Sequence, residues 1–213
     1  MVASSCTSVA AQGWIGRVDT VESYYNPADF VEANAMFVQK GKVARNQRSA
    51  ATLDVPHYYQ SGQVWSSDIM QTEGLTIGAA GCCLTSFTMI HKYLGGIWNP
   101  RGVNNKMGDY ACLFHYRQAA SIFNYEIVGS YHDEPSVTDD YAIDFIIGAI
   151  ESGLPVLVGM KNDSNSNKTH FVTAYGYSGS TIYIHDPASN IDYTELSQYL
   201  ANYSVNRLYV YSD

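Results

Sequence analysis

Apolar positions along the chain follow two periods. Phe30, Ala33 and Phe37 recur at helical spacing behind Asn26-Pro27, a capping residue followed by proline at the first helical position, and predict an N-terminal helix. The stretch from Lys40 to Ala51 has little apolar content and reads as a linker. Leu53 to Gln60 is extended, because the residue before Pro56 is pushed out of the helical region. The small-residue loop Thr76 to Gly81 leads into Cys82 to Leu94, where Leu84, Phe87, Ile90 and Leu94 keep helical spacing until Gly95-Gly96. Further helices are predicted near Leu113 to Phe123 and from Asp140 to Glu151, the latter ended by Gly153.

Beyond that point the pattern changes to strands. Leu154 to Met160 is a continuous apolar run of strand length. His170 to Tyr177 and Thr181 to Asp186 flank Ser178-Gly179-Ser180, a hairpin turn in which glycine supplies positive φ. A polar, flexible loop, Asn162 to Lys168, is expected just before His170. A short helix near Thr194 to Tyr203 and a strand from Arg207 to Tyr211 complete the series. Helices first and strands last define an α+β class with a C-terminal antiparallel sheet. The division expected is an N-terminal helix and linker extension over residues 1–50 and one domain over 51–213. The extension either packs on the domain or joins it to other modules of a longer chain.

Composition narrows the functions open to such a chain. With 46% hydrophobic and 15% charged residues, the 213 residues are enough to bury a substantial core, and disorder is excluded as the main state. The net charge of -8 and the lack of a concentrated basic surface exclude nucleic acid as the main partner; Lys40, Lys42, Arg45 and Arg48 read as a solvated linker. No apolar run approaches the ~20 residues a membrane span needs. Met1 to Cys6 carries neither the basic nor the apolar region of a secretion signal. An extracellular or cell-surface setting, after removal of a signal, is the expectation, with the cytoplasm as the alternative. The cysteines are Cys6, Cys82, Cys83 and Cys112; none forms a C-x-x-C pair, and no cluster has metal-ligand spacing, so neither metal nor cofactor is expected. If one cysteine is catalytic, at most one bridge remains, and Cys6 to Cys112 is the pairing that arithmetic allows.

A thiol nucleophile is activated where a helix begins, by the unpaired N–H groups and the positive end of the macrodipole. Cys82 stands at such a junction. Cys83 is rotated from it by about 100° around the helix axis, so the two cannot face one cleft. With the hairpin turn centred on Gly179, paired residue numbers sum to about 358, which sets Asp186 opposite Val172 and diagonal to His170. Asp186 then shares a face with Ile182 and Ile184, and a carboxylate on an apolar face requires a partner such as an imidazole N–H. His185 points to the opposite face, as surface or support, and His91, nine residues beyond Cys82, lies on the far side of the helix. His57 is near enough to Gln60 to line a cleft, and His115 and His132 have no identified partner.

Four blocks occur in order: Val55-Pro56-His57-Tyr58-Tyr59-Gln60, Gly81-Cys82-Cys83-Leu84-Thr85-Ser86, Thr169-His170-Phe171-Val172 and Ile184-His185-Asp186-Pro187. Together they resemble the papain-like cysteine peptidases related to bacteriocin-leader-processing, double-glycine domains, a bacterial and often secreted group. The resemblance implies a papain-like fold, Cys82 as nucleophile, His170 as general base and Asp186 as its orienting carboxylate. Gln60 would complete the oxyanion hole beside the backbone N–H of Cys82, with Gln63 as the reserve candidate. The chain departs from the family in placing Cys83, rather than a small residue, after the nucleophile. The function implied is hydrolysis of peptide or protein substrates. A transpeptidase or peptidoglycan-peptide amidase with the same triad, and a non-catalytic peptide-binding module, are the alternatives.

Overall fold

The computed structural model describes residues 27–70, 74–132, 137–188 and 193–213. Cys6 and Asn26 lie outside these residues. A 3-10 turn, Pro27–Phe30, leads into α1 (Val31–Asn46), followed by β1 (Ala50–Thr52), β2 (Ile69–Met70) and β3 (Leu75–Thr76). Next come α2 (Ile77–Ala80), α3 (Cys82–Tyr93), α4 (Pro100–Met107), α5 (Tyr116–Phe123) and β4 (Glu126–His132). The rest is α6 (Asp139–Ile150), β5 (Val156–Asn162), β6 (Asn165–Ser178), β7 (Thr181–His185), α7 (Ser197–Leu200) and β8 (Tyr203–Ser212).

Two expectations are corrected here. Lys40 to Arg45 is not linker: α1 continues through Asn46, with Gly41 and Ala44 buried. Asn162 to Lys168 is not a loose loop, since Asn162 pairs with Asn165 and the chain turns directly from β5 into β6. The short β1, β2 and β3 were absent from the sequence reading, the loop expected over Thr76 to Gly81 is largely the helix α2, and two longer elements were also absent. Helix α4 is capped by Asn99, whose side chain accepts from the Gly102 N–H, with Pro100 at the first helical position. Strand β4 pairs with β8 across a register shift between Ile127 and Gly129.

The antiparallel sheet runs β1-β6-β5-β8-β4, with β7 on the other edge of β6. Alternation along β5 and β6 separates two cores. Val156, Val158, Met160, Val172 and Ala174 join one cluster with Ala44 of α1 and most of α6. Leu157 and Phe171, with Tyr209 and Tyr211 of β8, join the other, which contains the inner residues of α3, α4 and α5.

The packing of α1 on α6 depends on two glycines. A Cβ on Gly41 would stand 1.8 Å from the Asp144 carbonyl oxygen, and one on Gly148 would stand 1.8 Å from that of Phe37. Neither position has room for a side chain, so the helices approach backbone to backbone.

Candidate active site

Cys82 is the first residue of α3, whose N-terminal flank is Gly81. A Cβ on Gly81 would lie 2.5 Å from the Ile77 carbonyl oxygen, so this junction between α2 and α3 accommodates only glycine. The Thr85 N–H closes the first bond of the helix on the Gly81 carbonyl (2.8 Å). Cys82 therefore sits at the positive end of the macrodipole.

One helical turn along α3, Ser86 fastens the helix to β6. Its hydroxyl donates to the Phe171 carbonyl (3.1 Å), and the Thr173 hydroxyl donates to the Ser86 carbonyl (2.9 Å). Residues i and i+4 share a helix face, so this clamp turns Cys82 towards the neighbour of Phe171, His170. Cys82 is an electrostatic neighbour of that imidazole, close enough to favour its charged form. Cys83 faces away, into a small cavity shared with Leu75, Ala111, Cys112 and Phe114.

His170 Nε2–H donates to Asp186 Oδ1 at 2.9 Å, and both side chains are 1% exposed. With Nε2 so engaged, Nδ1 is the ring nitrogen left to act as a base. Burial alone would lower the imidazole's pKa; the hydrogen bond to Asp186, and the charges of Cys82 and Asp186, outweigh it and raise it from 6.5 to about 9.

The hairpin delivers this contact by a route that sequence counting had simplified. Ser178 pairs with Thr181, so the loop is Gly179-Ser180 and the paired numbers sum to 359 near the turn. Gly179 has φ +59°, as the first loop position of a type II′ turn requires. A bulge between Ala174 and Gly176 then restores 358, pairing Ala174 with Ile184 and Thr173 with His185. Without that bulge, Asp186 would fall on the other face of the ribbon from His170.

Gln60 is fully buried, its Nε2–H donating to the Gly78 carbonyl (3.1 Å), four residues before Cys82. Its side-chain oxygen has no hydrogen-bond partner, and the amide's second N–H is left over from the Gly78 bond. The segment carrying Gln60 is fastened to the end of β7 by reciprocal bonds. His57 Nε2–H donates to the Asp186 carbonyl (2.6 Å), His185 Nε2–H to the Val55 carbonyl (2.9 Å), and the Gln60 N–H to the Pro187 carbonyl (2.8 Å). The two imidazoles stack at 4.5 Å, and His185 also stacks on Tyr175 at 4.0 Å. Burial, then the nearby His57, lowers His185 to about 4. Gln63 is exposed in a surface turn closed by its own carbonyl and the Ser66 N–H (3.0 Å).

The remaining histidines have structural partners. The Trp98 N–H donates to His91 Nε2 (3.3 Å), which leaves the proton on Nδ1, facing the Tyr125 hydroxyl at 2.7 Å. Burial, then Lys92, lowers His91 to about 4. His132 and His115, for which the sequence offered no partner, meet Tyr209 through a hydrogen bond and Tyr110 edge-on at 5.2 Å, respectively. Two groups around Asp186 were missed from sequence. The Ala188 N–H donates to Oδ1 (2.8 Å), and the buried Tyr199 hydroxyl donates to Oδ2.

Residues 52–209 match the family model described as Peptidase_C39 like family, and the chain belongs to that family. This agrees with the resemblance carried by the Gln60, Cys82, His170 and Asp186 blocks. A crystal structure of a protein from Bacillus anthracis, provisionally named a C39-like peptidase, is 15% identical and covers 76% of this chain and 98% of its own, with a TM-score of 0.46. Among curated proteins, none matches the sequence. No helix among the described residues is long and apolar enough to cross a membrane.

Proposed function

We propose that the chain is a cysteine peptidase of papain-like architecture that cleaves peptide bonds through Cys82, His170 and Asp186. The observation that carries this reading is a buried imidazole hydrogen-bonded to a buried carboxylate, with a helix-N-terminal thiol as its charge neighbour. In this mechanism His170 Nδ1 takes the Cys82 proton, and the thiolate sulfur bonds to the substrate carbonyl carbon. The oxyanion formed is met by the helix-terminal N–H of Cys82 and the remaining amide N–H of Gln60. On collapse the C–N bond breaks, the imidazolium protonates the leaving amine, and a thioester remains. Water deprotonated by His170 then attacks the thioester, releasing the acid and restoring the thiol. Asp186 holds the ring with Nδ1 towards sulfur and stabilises the imidazolium.

The experiment is cleavage of a quenched peptide library by the purified chain, with Cys82→Ala beside it. Turnover is expected in the parent and absent in the variant, at an unchanged melting temperature. Full turnover by Cys82→Ala would end the reading.

A further inference from the structure

We propose that Tyr199 is a positioning residue of this site: its phenol holds the second oxygen of the Asp186 carboxylate and so fixes the plane in which that carboxylate meets His170. Asp186 Oδ1 receives both His170 Nε2–H (2.9 Å) and the Ala188 N–H (2.8 Å), and Oδ2 receives the Tyr199 O–H. The terminal torsion of an aspartate is broad, so donors gathered on one oxygen leave the carboxylate free to pivot. A donor on the other oxygen, from a different element, removes that freedom.

Tyr199 is built for this place. It is 4% exposed, and its ring lies 5.2 Å from the His170 ring. The edge contacts with Tyr193 (4.9 Å) and Tyr203 (5.6 Å) hold it from the other side. Burial, followed by the Asp186 charge, pushes the phenol far above its ordinary value, so it stays a donor wherever the protein is folded. The titratable groups facing the carboxylate are His170 from β6 and Tyr199 from α7, while Cys82 and Tyr203 act on Tyr199 through their charges. His57 approaches only the Asp186 backbone carbonyl.

The role is independent of substrate identity, although its kinetic consequence rests on the peptidase reading. Tyr199→Phe keeps the ring and deletes the donor. Without that donor the carboxylate is free to pivot, so the hydrogen-bonded His170 Nε2–H proton should move upfield in ¹H NMR and exchange faster with water. With peptide substrate, kcat should fall about tenfold at neutral pH with KM within about twofold, the scale on which supporting partners of a reacting group act.

Tyr193→Phe, which keeps the ring packed on Tyr199, should leave that resonance in place. A fluorotyrosine at position 199 is a stronger donor of the same shape and should slow the exchange of that proton; this substitution decides the matter if Tyr199→Phe fails to fold. A resonance and exchange rate unmoved in a folded Tyr199→Phe, or an exchange rate unmoved by fluorotyrosine, overturns the proposal. A protein with no peptide turnover ends the peptidase reading, while the His170 resonance still decides the role of Tyr199.

Discussion

His170 is buried among groups that favour its charged form, and the balance raises it to about 9 against 6.5 for a free histidine. The stability this contributes is fully present below pH ~6.5 and is lost as pH rises through about 9. In the peptidase mechanism the same proton is delivered to the leaving amine, so kcat/KM should fall on an alkaline limb near pH 9. Asp186→Asn removes a charge that holds the imidazolium, and the limb should move to lower pH; a pH–rate profile of both proteins checks this, and an unmoved limb would detach Asp186 from His170. These side chains were legible from sequence because each is tied to a local signal: Cys82 to a helix start, His170 and Asp186 to opposite arms of one hairpin. Tyr199 was not. It is one of eighteen tyrosines, and only the return of α7 over the end of β7 brings it to Asp186.

Elements set the accuracy with which those residues meet. The hairpin count placed Asp186 diagonal to His170, and the structure reaches that register only because the bulge at Tyr175 compensates a shorter loop. Counting from the turn could not reveal that compensation. Strand β4 escaped notice because its bulge breaks the alternation, and α4 because its signal is the Asn99 cap rather than an apolar period. The clip between His57, His185 and the Gln60 segment is a further element-level device, and it gives a pH prediction. His185 and His91, both lowered to about 4, stay neutral in the fold while the unfolded chain takes up protons near pH 6.5. Their contribution to stability is therefore present above ~6.5 and fades as pH falls towards about 4. Thermal melts across that window should show the loss. His185→Gln, which keeps an N–H for the Val55 carbonyl but cannot titrate, should flatten it in part, leaving the share of His91; an unflattened curve would exclude His185 as a source.

At the scale of the molecule, one sheet serves two cores, and the candidate site lies where α3 from one side meets the β6–β7 hairpin. The opposite core is closed by α6 and by α1, the helix that sequence assigned to an extension. Three contacts argue that α1 supports the sheet. Asn34 exchanges two hydrogen bonds with the Ser130 backbone on β4, Nδ2–H to the carbonyl (2.6 Å) and Oδ1 from the N–H (3.0 Å). Arg45 faces Asp144 of α6, Nε standing 3.0 Å from Oδ1 and Nη2–H donating to Oδ2 at 3.3 Å. Burial raises the Asp144 carboxyl, and Arg45 opposes that rise most. The third contact is the Gly41–Gly148 approach. A fragment of residues 51–213 would expose the α6 face, leave Asp144 without Arg45 and remove Ala50 from the pairing of β1 with β6. Breaking a largely buried ion pair alone costs about 3–5 kcal/mol, and a domain's whole stability is about 5–15 kcal/mol. The fragment is therefore expected to lose the cooperative melt of the full chain, while Arg45→Met in the full chain should lower its midpoint by about 6–20 °C at the usual 2–4 °C per kcal/mol. Differential scanning calorimetry of the three proteins is the measurement. A fragment melting as sharply and as high as the full chain would return α1 to the status of an appendage.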